Sequence, residues 1–242
     1  MNFPMILICG QSGSGKSYSL RNLDKEKTKI INIERKILPF KEALKFKHLV
    51  DIETAEKAAK EVSDSIKSTD NNNYDVIVIE SFTKYVELLL SFSKKINKGY
   101  DIYNYYNATI GSFLETIKGN NNKFVVITAI DERVEFIQPT GAITTSRRCA
   151  VSGKEWEGKI EKEFTVVLFT DVKQEKGKNP EYRFITNNDG TNSSKSPPDL
   201  FGKQYIENDI NMVISKMKEY YELDKISEIS DKQKLPVLST YE

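Results

Sequence analysis

The stretch Met5-Ile6-Leu7-Ile8-Cys9-Gly10-Gln11-Ser12-Gly13-Ser14-Gly15-Lys16-Ser17 joins an apolar run to a glycine-rich turn and closes on Lys-Ser. Gly10, Gly15, Lys16 and Ser17 carry the spacing Gly-x-x-x-x-Gly-Lys-Ser/Thr of a loop that cradles phosphates. The spacing has a physical reason. A polyphosphate tail needs many N–H donors converging on it, and side chains at Gly10, Gly13 or Gly15 would block that approach. A helix expected over residues 17–23 adds the positive end of its dipole. In this reading Gly10, Gln11, Ser12, Gly13, Ser14 and Gly15 form the cradle and Tyr18 follows it. Lys16 reaches the β- and γ-phosphates, and the Ser17 hydroxyl ligates Mg²⁺, so ATP and Mg²⁺ are the expected cofactors.

Composition narrows the setting. A chain of 242 residues suffices for one large domain or two small ones. Lys+Arg total 36 against 35 Asp+Glu, a net charge of +1, so no global field draws the protein to nucleic acid or to an anionic membrane. Any nucleic-acid site has to be a local basic patch. Two cysteines, Cys9 and Cys149, are too few for a disulfide framework, and Cys9 lies inside the expected first strand, which fits a reducing compartment. No run reaches the ~18 apolar residues of a spanning helix, and no secretory leader pattern opens the chain. These features predict a soluble, cytoplasmic protein with no membrane partner. His48, the one histidine, has no cysteine near it, which leaves zinc chemistry out.

Working outward from the loop, residues 29–33 read as a second buried strand ending at Glu34, and residues 35–50 as an irregular stretch broken by Pro39. Ala55, Ala58, Ala59, Val62 and Ile66 fall at helical spacing within 53–66. Val76-Ile77-Val78-Ile79-Glu80 is a continuous apolar run of the kind found in a parallel strand covered on both faces, and it ends in an acid. Two helices follow over 83–96 and 102–117, then a fourth strand over 124–129. Beyond Asp131 the period shortens, which predicts a hairpin around Pro139-Thr140-Gly141. Strands over 164–170 and 182–186, a loop over 187–198 and a last helix over 206–221 complete the pattern. The alternation predicts an α/β fold, a mainly parallel sheet flanked by helices with an antiparallel edge. One domain over residues 1–222 is expected, with a polar, mobile tail over 223–242.

Glu80 ends its strand where ligands bind in open α/β sheets and is the candidate partner of Ser17 at the metal. Glu34 ends the second strand at the same edge. It reads either as the base that polarises an attacking water or as a charged cap beside Arg35 and Lys36. Thr128 and Asp131 read equally as sensors of the terminal phosphate or as ordinary loop polar residues. Arg147 and Arg148, with Lys154, Trp156 and Lys159, read either as a single-strand nucleic-acid patch with Trp156 as stacking platform or as a solvated loop. Lys195 is either a surface lysine or a cationic finger acting in a neighbouring subunit's site.

Taken in order, residues 10–17, Ile31-Asn32-Ile33-Glu34, 76–81 and 125–129 resemble the RecA-like P-loop ATPases. The resemblance is strongest to the short phage-encoded RecA-like ATPases linked to single-strand annealing and recombination, to which the stretches 153–164 and Pro197-Pro198-Asp199-Leu200-Phe201 are also similar. It extends over roughly residues 5–221. It implies a RecA-like P-loop NTPase core and a homo-oligomeric ring or short filament with ATP between subunits. It also implies single-stranded DNA near the loops after the fourth strand, and Glu34 as the water-activating residue. Glu80 stands where Asp is usual, and Thr128-Ala129 where a glutamine sensor is usual. The sequence opens at its first core strand, so no N-terminal module for joining subunits is expected. The function implied is ATP binding and hydrolysis serving single-stranded DNA in phage-type recombination or replication, with a single-strand binding protein as a further partner. Two alternatives stay open: a P-loop kinase using Arg133, Arg147 and Arg148 over the phosphates, and a nucleotide-gated binding module that barely hydrolyses.

Overall fold

Apolar residues on both faces of a strand call for a layer on each side, and the computed structural model, which describes residues 2–68, 74–120, 122–137, 141 and 143–223, is built that way. The elements run β1 (Ile6–Cys9), a 3₁₀ turn (Ser17–Leu20), β2 (Thr28–Asn32), β3 (His48–Asp51), α1 (Ala55–Lys67), β4 (Val76–Glu80), α2 (Phe82–Ile96) and α3 (Asp101–Lys118). Then follow β5 (Phe124–Ala129), β6 (Asp131–Ile137), β7 (Ile143–Cys149), β8 (Val166–Lys173), β9 (Glu181–Ile185), β10 (Tyr205–Glu207) and α4 (Ile210–Tyr220).

Eight strands form one sheet in the order β10-β9-β8-β1-β5-β4-β2-β3. From β8 to β3 every pairing is parallel, while β9 and β10 add an antiparallel edge. Alternation along each strand sends Leu7 and Cys9 to one face with α1, α2 and α3, and Ile6 and Ile8 to the other with Leu20, Leu23 and α4. Each fully buried Ile, Leu or Val on these faces contributes about 1.5–3 kcal/mol relative to exposure. Side-chain oxygens cap the helices that matter to the site. Thr54 accepts from Lys57 N at 3.2 Å, Ser81 from Lys84 N at 3.3 Å, and Asp209 from Asn211 N at 2.9 Å.

Register fixes the functional edge. Cys9 lies opposite Ala129, Ile79 opposite Ile127 and Asn32 opposite Glu80. The carboxyl ends of β1, β5, β4 and β2 therefore finish in one row, with β5 inserted between the loop-bearing strand and the acid-bearing one.

Several local readings are corrected. The helix expected after the loop is a single 3₁₀ turn, Ser17–Leu20, so the dipole behind the phosphate cradle is that of one turn only. Residues 48–51 are not irregular but form β3, a short, partly buried edge strand held by its ladder to β2. The last helix begins at Ile210 and not at 206, because residues 205–207 pair with β9 as β10. The hairpin β6–β7 stands apart as its own two-stranded sheet, and β8 enters the main sheet beside β1. Of the polar, mobile tail expected over 223–242, residues 224–242 lie outside the described residues, as do most residues of the turn expected at 139–141.

Candidate active site

Gly13 and Gly15 take φ values of 78° and 99°, left-handed conformations that other residues adopt only under strain. Gly10 is required for a different reason: a β-carbon there would sit 1.7 Å from Thr170 Oγ1. The Lys16 ammonium donates to the carbonyls of Gly10 at 2.8 Å and Gln11 at 3.0 Å, so it lies across the mouth of the loop. Burial pulls its pKa down, against the opposing pull of Glu80 and Asp131. A cleft of about 710 Å³ opens here, large enough for a nucleotide. Ser12, Gly13, Gly15, Lys16, Ser17 and Tyr18 line it, whereas Gln11 and Ser14 turn aside to bond Asp131 and Thr170.

On the floor of the cleft Ser17 Oγ donates to Glu80 Oε1 at 2.7 Å and Thr128 Oγ1 donates to Glu80 Oε2 at 2.7 Å. Glu80 is 5 % exposed, and burial raises its pKa, countered by these two hydroxyls and by Lys16. A hydroxyl and a carboxylate already side by side are hard oxygen donors of the kind Mg²⁺ takes when phosphate oxygens and waters complete its shell. The longer reach of Glu, where Asp is usual, is absorbed by the contact with Thr128 on the intervening strand. Thr128 thus stands in the site through Glu80, and the sequence left its role open.

Glu34 sits one strand over. Its Oε1 accepts from Ser81 Oγ at 2.9 Å, and its Oε2 lies 3.3 Å from Lys36 Nζ. The backbone N–H groups of Ile33 and Glu34 both donate to Glu80 O, at 2.6 and 3.2 Å, which ties the two acids to one strand pair. Ser81 holds Glu34 with the hydroxyl whose oxygen caps α2; a cap signature, Ser81 ahead of an apolar run, was available in the sequence for it. The rest of the lining, Asn32, Ile37–Pro39, Asn179, Pro180 and Tyr182, comes from loops distant in sequence and carried no motif.

Asp131, 3 % exposed, accepts from Gln11 Nε2 at 2.7 Å and pairs with Arg147 Nε, so the first variable residue of the loop and the hairpin share one carboxylate. Arg147 also donates to Thr170 O at 3.1 Å. Arg148 is held between Glu132 at 2.6 Å and Glu157 at 3.4 Å. Trp156 packs on the α3 side of the core, near Gly111, with its indole N–H buried. These three residues are brought to one region of the fold, but each is engaged within it. Lys195 bridges its backbone to Val167, at 2.8 and 3.0 Å, and its side chain is partly buried.

A parallel sheet with the loop at the end of a central strand, a Ser-acid pair beneath it and an acid across the cleft define a P-loop nucleotide-binding fold. A family model described as an AAA domain matches residues 2–198, and the chain belongs to that family of P-loop ATPases. Comparison with curated proteins gives no match. Among the described residues no helix is long and apolar enough to cross a membrane.

Proposed function

We propose that the protein binds Mg²⁺-ATP in the cleft and hydrolyses it to ADP and phosphate. The observation that carries the reading is the carboxylate of Glu80 bonded to Ser17 and Thr128 beneath the loop, with Glu34 held across from it by Ser81. Lys16 and the loop N–H groups bind and orient the triphosphate. Ser17 and Glu80 would hold Mg²⁺, which when bound neutralises charge developing on the phosphoryl oxygens. Glu34 orients a water at the terminal phosphate and accepts its proton at a carboxylate oxygen. Ser81 and Lys36 fix that carboxylate against rotation. Release of phosphate from ATP by the purified protein, dependent on Mg²⁺ and lost in Glu34→Gln, tests the reading; hydrolysis that survives Glu34→Gln at the wild-type rate excludes Glu34 from it.

Single-stranded DNA as the partner, in recombination or replication and within a homo-oligomer, is supported by the resemblance in motif order. Arg147 and Arg148 are each paired with carboxylates, so contact of either with a phosphate exchanges one ion pair for another. Fluorescence anisotropy with a labelled oligonucleotide, with and without ATP, tests this part. No binding in either state removes DNA from the reading and leaves the ATPase intact.

A further inference from the structure

The two ends of the cleft differ in chemistry. Glu34, Lys36 and Glu80 line the end to which the ATPase reading assigns the terminal phosphate. The other end is lined by Tyr18, Asn179, Pro180 and Tyr182, and the two tyrosine rings lie 5.5 Å apart between centroids at an interplanar angle of 46°. Arg21 covers Tyr18, its guanidinium carbon 4.3 Å from the ring centroid. Directly behind this end lies Asn208, 1 % exposed, whose side-chain nitrogen and oxygen both lack a hydrogen-bond partner. A β-carbon built on Gly15 would meet Tyr182 Cδ1 at 2.8 Å and the two polar atoms of Asn208 at 3.3 and 3.4 Å.

A buried amide with neither its donor nor its acceptor satisfied is rare and costly. The fold does not need it. The adjacent cap of α4 is made by Asp209, whose Oδ2 also accepts from Asn22 Nδ2 at 2.7 Å. Asn208 contributes its backbone carbonyl to Arg21, and Glu207 takes the other guanidinium nitrogen at 3.1 Å. Only the carboxamide is left without a task.

We propose that Asn208 is the residue that reads the nucleobase, and that it selects adenine. This rests on the ATPase reading above and deepens it. Sandwiching a base between the two tyrosines needs about 7 Å, twice the ~3.4 Å spacing of stacked bases. Because the rings stand closer than that, an entering base displaces Tyr182, which lies with the Asn208 amide against Gly15. A carboxamide then offers one donor and one acceptor side by side, which matches the N6 donor and the N7 acceptor of adenine. On that same edge guanine presents two acceptors, O6 and N7, and leaves half of the amide unpaired. Stacking on a tyrosine supplies affinity without base choice, and the amide supplies the choice.

The test is competition of ATP and GTP against a fluorescent ribose-labelled ATP analogue, read together with thermal unfolding of the free protein. The wild type is expected to prefer ATP by about tenfold or more, the scale of a bidentate base contact. Asn208→Leu keeps the branched shape and heavy-atom count and removes the unpaired polar atoms, so the free protein should melt at the same temperature or higher while ATP affinity falls about tenfold. Asn208→Asp, an acceptor-only side chain, should erase or reverse the preference for ATP over GTP. Equal wild-type affinity for the two nucleotides, or unchanged ATP affinity in Asn208→Leu, overturns the assignment of Asn208 and leaves the ATPase reading standing. A wild type that binds neither nucleotide overturns the ATPase reading, and this one with it.

Discussion

At Glu80 burial and chemistry pull in opposite directions. The carboxyl is nearly inaccessible, which raises its pKa above the ordinary 4.5, while Ser17, Thr128 and Lys16 favour the ionised form that a metal would need. For an acid whose folded-state pKa is raised, the stabilising contribution is full below the unfolded value and is lost as pH rises through the folded one. Glu80→Gln is therefore expected to leave the melting temperature unchanged near pH 4 and raise it at about pH 8, while ending ATP hydrolysis. A variant that melts lower than wild type at the higher pH would show that the hydroxyl contacts outweigh burial. Lys16→Ala should abolish nucleotide binding in a titration with little effect on melting, since its ammonium hydrogen-bonds to the loop carbonyls of Gly10 and Gln11. Glu34→Gln should retain binding and slow phosphate release by roughly 10²–10⁴-fold, the scale of a general base.

At the scale of elements, the hairpin is fastened to the sheet edge through Asp131 and Arg147, whose side chains are 1 % and 21 % exposed. Arg147→Ala leaves a buried carboxylate whose remaining side-chain partner is Gln11, and chemical denaturation should show a loss of about 3–5 kcal/mol. Asp131→Asn combined with Arg147→Ala should recover much of it; no recovery would mean the arginine acts through its bond to Thr170 O. The sequence made the central strands and the long helices legible because continuous apolar runs and 3.6-residue stripes are local signals. It hid β3 and β10, which are short and exist by pairing with β2 and β9. The loop residues and the two acids were legible from spacing and strand ends. Asn208, Tyr182 and the partners of Arg147 were not, because each is brought to its place only by strands far apart in the chain.

For the whole molecule, the cleft draws on β1, β2, β4 and the loop ahead of β9, so a ligand bound there braces most of the sheet. Saturating Mg²⁺-ATP at 100 times its Kd should stabilise the fold by about 2.7 kcal/mol, visible as a rise in melting temperature that Lys16→Ala lacks. Absence of any shift in the wild type would argue against tight binding to the folded state.

The carboxylate of Asp131 is also a fulcrum. Gln11 holds it from the loop side and Arg147 from the hairpin side, and β6, seven residues long, starts at that point. The backbone of Arg147, opposite Arg133, is also bonded to Thr191 and Ser193, so the arm beyond that attachment is the four residues 134–137. At ~3.3 Å per residue it is about 13 Å long, and a tilt of about 5° at the base carries its end roughly 1 Å. A shift of the phosphate loop passed through Gln11 to this carboxylate would be enlarged toward the hairpin's outer end and opposed by the bonds of Arg147 to Thr191 and Ser193.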